Sequence, residues 1–235
     1  MIVYAEEQME EQGTLDWQRA RLGKITGSKC GDLMVKGRSK DEVFGATAKT
    51  YLYNLIREKR LNPAIVSDDN KFADYLADEV EINTKVIRQG HEREPEARKF
   101  FEKYHDNGHE VFEVVSCPHD TIPNFAASPD GVVIVDGRPT ACVEIKSTQG
   151  TNFIRYMLEV KDAEGLKKTN PTYYWQCQAE MMCTGLPLTY FIVYNPYDIV
   201  PLHVVEIPRN DEDCKALEER IRLANEYIEN MINDG

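Results

Sequence analysis

Residues 131–147 read GVVIV, then DGRP, then TACVEIKS: two β-prone apolar runs joined by a turn-like tetrapeptide. No other stretch narrows the fold so far, because a hairpin this apolar must be covered and extended. A preceding run, EVFEVVSC at 110–117, predicts a third strand in an antiparallel set, and Leu188–Tyr194 and His203–Ile207 read as two more. Ala97, Phe100, Phe101 and Tyr104 recur at helical spacing, which predicts an amphipathic helix over 92–104 with Pro95 in its first turn. A second helix is expected over 170–185, opened by Pro171 and closed by Gly185. A third follows Asn210 as N-cap, with Cys214, Leu217, Ile221, Ala224 and Ile228 spaced for a buried face. The expected class is α/β, a central mixed β-sheet flanked by helices.

The chain has 235 residues, a length that fits one sizeable domain over 1–235. Two excursions, 36–47 (KGRSKDEVFGAT) and 61–70 (LNPAIVSDDN), read as surface loops between helices. Six cysteines (Cys30, Cys117, Cys142, Cys177, Cys183, Cys214) are scattered without zinc-like spacing and read as reduced, mostly buried thiols. The start MIVYAEEQMEE lacks the basic beginning of a signal peptide, and the longest apolar run, Tyr190–Tyr194, is far too short for a bilayer. A soluble cytoplasmic protein is expected.

The stretch that carries chemistry is SPDG at 128–131 followed by EIKS at 144–147. Asp130 heads one predicted strand, and Glu144 and Lys146 project from one face of the next, because residues i and i+2 of a strand point the same way. Two carboxylates and an amine then share a small volume across the hairpin. Hard oxygen ligands from Asp130 and Glu144 suit Mg²⁺, with substrate phosphate and water completing the shell. The lysine can orient or help deprotonate a water and stabilise charge developing on phosphate, so phosphodiester hydrolysis is the natural reaction. Read alone, the same residues also fit a turn at Asp130-Gly131 and a cross-strand surface pair of Glu144 with Lys146.

Five blocks in order resemble the phage lambda exonuclease family, the YqaJ-like viral-recombinase branch of the PD-(D/E)xK nucleases. They are W-x3-R at Trp17 and Arg21 with Ser28 seven residues on, G-x3-E-x2-AR at Gly90, Glu94, Ala97 and Arg98, SPDG, EIKS, and Y-x2-Q-x-Q at Tyr173, Gln176 and Gln178. The resemblance runs through most of the chain and implies a restriction-endonuclease-like core. It implies that Asp130, Glu144 and the main-chain carbonyl of Ile145 hold metal, that Glu94 serves a second ion, and that Lys146 is the catalytic lysine. Two Mg²⁺ ions would serve attacking water and leaving oxygen together, with Mn²⁺ as a substitute. Arg21, Ser28, Ser128 and Gln176 would grip a 5′-phosphate, with Trp17 beside them. Gln176 and Gln178 lie about 200° apart on a helix, so Gln176 is preferred and Gln178 held in reserve. On the residues alone, Glu94 reads as an exposed acid in a charged helical turn, and Tyr173, Tyr174 and Trp175 read equally as helix core or as stacking surface.

The implied activity is 5′→3′ digestion of one strand of linear double-stranded DNA to mononucleotides, by a homotrimeric ring, leaving 3′ single strands for a single-strand annealing recombinase. Competing readings are an endonuclease of the same fold, of restriction or repair type, and an inert module that binds DNA ends. ATP hydrolysis is not expected: Gly23-Lys24-Ile25-Thr26 looks like a phosphate loop, but Gln18 stands where glycine is required.

A net charge of −12 argues at first against a DNA partner. The acidity is concentrated, however, in 1–13, 66–82 and 206–235, whereas 14–65 holds eleven Lys and Arg against five Asp and Glu. The basic segment contains Trp17, Arg21 and Ser28 and the loop residues Arg38 and Lys40, which are expected to face duplex DNA. Replacing Arg38 and Lys40 together with Ala is predicted to weaken DNA binding and to reduce the slope of log affinity against log salt by about 2. Binding measured from 50 to 200 mM salt checks this, and an unchanged slope would contradict it.

Overall fold

The computed structural model describes residues 14–37, 39, 42–79, 84–104, 110–114 and 116–234. The chain enters through α1 (Leu15–Arg21), β1 (Ile25–Thr26), α2 (Gly27–Leu33), α3 (Ala46–Lys59), α4 (Pro63–Val66), α5 (Asp69–Glu79) and α6 (Thr84–Tyr104). Strands follow: β2 (Glu110–Phe112), β3 (Cys117–Pro118), β4 (Phe125–Ala127), β5 (Gly131–Val135) and β6 (Arg138–Ser147). The remainder is α7 (Gly150–Glu159), α8 (Ala163–Thr169), α9 (Pro171–Thr184), β7 (Leu188–Tyr194), β8 (Leu202–Pro208) and α10 (Asp211–Asn233).

The hairpin is the centre of a five-stranded sheet ordered β2-β5-β6-β7-β8. Neighbours are antiparallel except β6 and β7, which run parallel because α7, α8 and α9 carry the chain across between them. Asp136 and Gly137 both adopt positive φ, 52° and 73°, the pairing a two-residue turn needs to match the twist of its strands. The turn is therefore tighter than DGRP suggests: Arg138 and Pro139 already belong to β6, and a bulge falls opposite Val133 and Ile134.

Both faces of this sheet are covered, so its central strands are apolar throughout rather than alternating. On one face, Ala97 and Phe101 of α6 pack on Val133, Val143, Ile145, Ile192 and Tyr194. On the other, Val132, Cys142, Phe191 and Val193 join residues of α9, α10, α2 and α3 in the larger core. The six cysteines are all free and buried, as expected of reduced core thiols. A smaller sheet, β1-β4-β3, lies beside the first and pairs Ile25 and Thr26 in parallel with Phe125 and Ala126.

Three expectations are corrected. The run 110–117 is not one strand: β2 joins the large sheet and β3 the small one, and Val114, fully buried, lies between them. The 61–70 segment is helical in part. Asn62 caps α4 by accepting from Ala64 N–H at 2.9 Å, Pro63 occupies its first turn, and Asp68 accepts from Asn70 and Lys71 ahead of α5. Its proline and acids are helix-start signals that read as loop when no apolar periodicity accompanies them. Finally, α6 begins at Thr84, so Pro95 lies inside the helix and not in its first turn.

The helix that matters most for the site, α9, has clear ends: Asn170 Oδ1 accepts from Tyr173 N–H at 3.3 Å, and the chain leaves at Gly185 with φ 76°. Asn170 also donates from Nδ2 to the Tyr156 hydroxyl at 3.0 Å, tying α9 to α7. Asn170→Ala is predicted to lower unfolding free energy by about 1–2 kcal/mol without altering the fold. Urea denaturation measures this, and a change under 0.3 kcal/mol, roughly the floor of such contributions, would contradict it.

Candidate active site

Glu144 and Lys146 follow Cys142 on the β6 face that looks toward α9, while Val143 and Ile145 point the opposite way into the α6 core. Glu144 is fully buried, and Lys146 Nζ is ion-paired with it and lies 4.8 Å from the Tyr173 ring centre. Asp130 closes the arrangement from the turn before β5: its Oδ2 accepts from the Ile145 backbone N–H at 2.7 Å. Arg98 of α6 donates to the Asp130 carbonyl at 2.9 Å and to Glu113 at 3.2 Å, pinning that turn from outside. Glycine is required next in SPDG, because a Cβ at 131 would come within 2.5 Å of Val111 Cγ1. The first bonds and contacts of the hairpin thus aim two acids and a lysine at one spot.

That spot is a cavity of about 310 Å³. Asp130, Glu144, Ile145 and Lys146 form one side, and Glu94 of α6 reaches the same space. The opposite side is made by Trp17 and Arg21 of α1, Gly27 and Ser28 at the start of α2, Ser128, and Gln176 of α9. The Arg21 guanidinium lies 4.2 Å from the Trp17 ring centre, and burial lowers its pKa while leaving it charged at any ordinary pH. Trp17 Nε1 and Ser128 Oγ are buried with no hydrogen-bond partner among the described residues. An arginine and two unspent donors in one pocket make a receptor for an anion with several oxygens.

Ten of the twelve residues singled out from the sequence therefore line one cavity. Arg38 and Lys40 lie outside the described residues. The choice between the glutamines is settled by α9: Gln176 lines the cavity, whereas Gln178 donates to Pro208 carbonyl at 3.1 Å and accepts from Asn210 N–H at 2.9 Å. Glu180 lines the cavity too, and sequence reasoning missed it. The sequence shows only that it stands four residues after Gln176, hence on the same helix face; that it is a single acid in a run of buried residues emerges from the packing of α9.

The electrostatics are dominated by crowded negative charge. Burial, then Glu144 and Glu94, push the Asp130 carboxyl well above the usual carboxylate range, against the pull of Lys146 and the Ile145 N–H. Burial and Glu144 do the same to Glu180. For Lys146 burial alone would lower the pKa, but Glu144 and Asp130 outweigh it and raise it, so this side chain is an ammonium near neutral pH. It therefore supplies charge and hydrogen bonds rather than a resting base. Among the described residues no three acidic, histidine or cysteine side chains are already drawn together as a metal site. Acids lining an open cavity suit a divalent ion that keeps waters and takes substrate oxygens as ligands.

Residues 16–187 match the YqaJ-like viral recombinase domain, a span that contains every lining residue from Trp17 to Glu180. The chain belongs to the YqaJ-like viral recombinase family. Its fold is shared with the crystal structure of an alkaline exonuclease, LHK-Exo, from Laribacter hongkongensis, at 28% identity and a TM-score of 0.71, covering 94% of this chain and 95% of that one. The same enzyme in complex with dAMP gives 27% identity and a TM-score of 0.70 over 94% and 95%. A phage-related exonuclease from Haemophilus somnus 129PT shares the fold at 16% identity, with a TM-score of 0.60 over 90% and 96%. No curated protein sequence matches the chain.

In this member of the YqaJ-like family the raised carboxyl of Asp130 has a consequence for stability. An acid whose folded pKa is raised binds more protons folded than unfolded, so stability falls as pH climbs from its ordinary value of about 4 toward the folded value. Asp130→Asn is accordingly predicted to raise the melting temperature in chelator at pH 8 by roughly 2–4 °C, the shift about 1 kcal/mol produces in a domain this size. The gain should shrink toward pH 5, and a variant less stable than the parent at pH 8 would contradict it.

Proposed function

We propose that this protein is a Mg²⁺-dependent 5′→3′ exonuclease that digests one strand of linear double-stranded DNA to mononucleotides, leaving 3′ single strands for annealing recombination. The observation that carries the reading is the convergence, in one cavity, of Asp130, Glu144, Ile145 and Lys146 with Arg21, Ser28, Ser128 and Gln176. The first set suits cleavage of a phosphodiester and the second suits a terminal phosphate. Their adjacency defines polarity, because a chain held by its 5′-phosphate presents its first linkage to the acids and lysine.

Asp130, Glu144 and the Ile145 carbonyl would hold the metal, with Glu94 able to serve a second ion. The bound metal supplies a water activated at neutral pH and neutralises charge on the phosphate. The protein's own groups do the rest. Lys146, held as an ammonium by Glu144 and Asp130, orients the attacking water and stabilises charge accumulating on the scissile phosphate. Arg21, propped by the Trp17 ring, and the hydroxyls of Ser28 and Ser128 hold the terminal phosphate, with Gln176 as a further donor. The net positive segment 14–65 meets the duplex. The family resemblance adds a homotrimeric ring, a single-strand annealing recombinase as partner, and action in the bacterial cytoplasm. No helix among the described residues is long and apolar enough to cross a membrane.

Digestion of a linear duplex with and without a 5′-phosphate, in Mg²⁺ and in chelator, tests the reading. Chelator is expected to abolish activity, Lys146→Ala to reduce it by about 100-fold or more, and Arg21→Ala to erase the preference for a 5′-phosphate. Covalently closed circles should survive. Equal activity in chelator or in the lysine variant would refute the mechanism, and cut circles would indicate an endonuclease.

A further inference from the structure

Two polar residues of α9 stand two positions apart in equally buried surroundings and meet opposite fates. Gln178 is fully employed, donating to the Pro208 carbonyl and accepting from Asn210 N–H and the Cys214 thiol. Glu180 is 0% exposed, and among the described residues no donor group reaches either of its carboxylate oxygens, its neighbour being the Glu144 carboxylate. A buried acid with a structural role recruits donors, since an unpaired buried charge is strongly destabilising. Glu180 faces the cavity instead, with Glu144 as its neighbour.

The charge around it is unbalanced. Glu94, Asp130, Glu144 and Glu180 line the cavity, and the cations lining it are Arg21 and Lys146. Lys146 is already paired with Glu144, and Arg21 leans on Trp17 at the far side. Ionised, Asp130, Glu144 and Glu180 would outnumber Lys146 by two charges, which one divalent ion neutralises. We propose that Glu180 is a further acidic member of the metal centre, contributing a carboxylate from α9 to the divalent-ion site formed by Asp130 and Glu144. Because Gln176 lies one turn away on the same face, α9 then couples the metal centre rigidly to the phosphate receptor.

This rests on the metal-dependent reading above, so its test separates the two. Mn²⁺ binding without DNA is followed by electron paramagnetic resonance of the free ion, for the full chain and for Glu180→Gln, Glu180→Asp and Asp130→Asn. Glutamine keeps the size of the side chain and can still donate to Glu144, but it cannot supply a negative charge. Glu180→Gln is expected to fold, checked by its melting temperature in chelator, and to bind Mn²⁺ about tenfold or more weakly. If it binds as tightly as the parent while Asp130→Asn loses affinity, the assignment of Glu180 is overturned and the metal centre stands. If Asp130→Asn also binds as tightly as the parent, the metal reading itself fails. Should the glutamine variant not fold, Glu180→Asp carries the test: its shortened reach should weaken binding at least about threefold, and unchanged affinity would overturn the proposal.

Discussion

Negative charge buried on the face of a central strand is the constraint around which this molecule is organised. Glu144 sits in β6 between Val143 and Ile145, both in the apolar core, with no exposed surface of its own. Only a structure that brings cations to it can tolerate it there. Lys146, two residues along the same face, supplies one, and the turn at Asp130 is bonded to the Ile145 N–H so that a second acid joins rather than avoids the first. The crowding that raises Asp130 and Glu180 thus centres on the same hairpin that forms the middle of the sheet.

The elements outside the hairpin serve this arrangement. The α6 helix covers one sheet face and reaches in with Glu94, while Arg98 clamps the Asp130 turn. The α9 helix covers the other face and contributes Gln176 and Glu180 one turn apart. The short β1–α2 unit is tied to β4 by parallel pairing, which brings Ser28 and Ser128 into the lining of one cavity and gives the amino-terminal residues a place in a site otherwise built from the centre of the chain.

How much of this was legible depends on whether the signal was local. Periodicity of two placed Glu144 and Lys146 on one face, and the 100° step per helical residue separated Gln176 from Gln178; both rules operate within a single element. The Pro171 opening and Gly185 end of α9, the cap at Asn210 and the buried face of α10 were legible for the same reason. Less legible were features decided by packing. The division of 110–117 between two sheets depends on which strand each half meets, and the proline of 61–70 starts a four-residue helix too short to show a period. Glu180 escaped because its meaning arises only when α9 is laid against β6, where an acid among apolar neighbours turns out to face other acids.

The account comes down to one claim, that the acids of this cavity are gathered to hold divalent metal. Anomalous diffraction from crystals soaked in Mn²⁺ addresses it directly. The account predicts a manganese peak within ligand distance, about 2.0–2.4 Å, of oxygens from Asp130, Glu144 and the Ile145 carbonyl. A cavity free of manganese under conditions in which the crystals bind the ion elsewhere would contradict it.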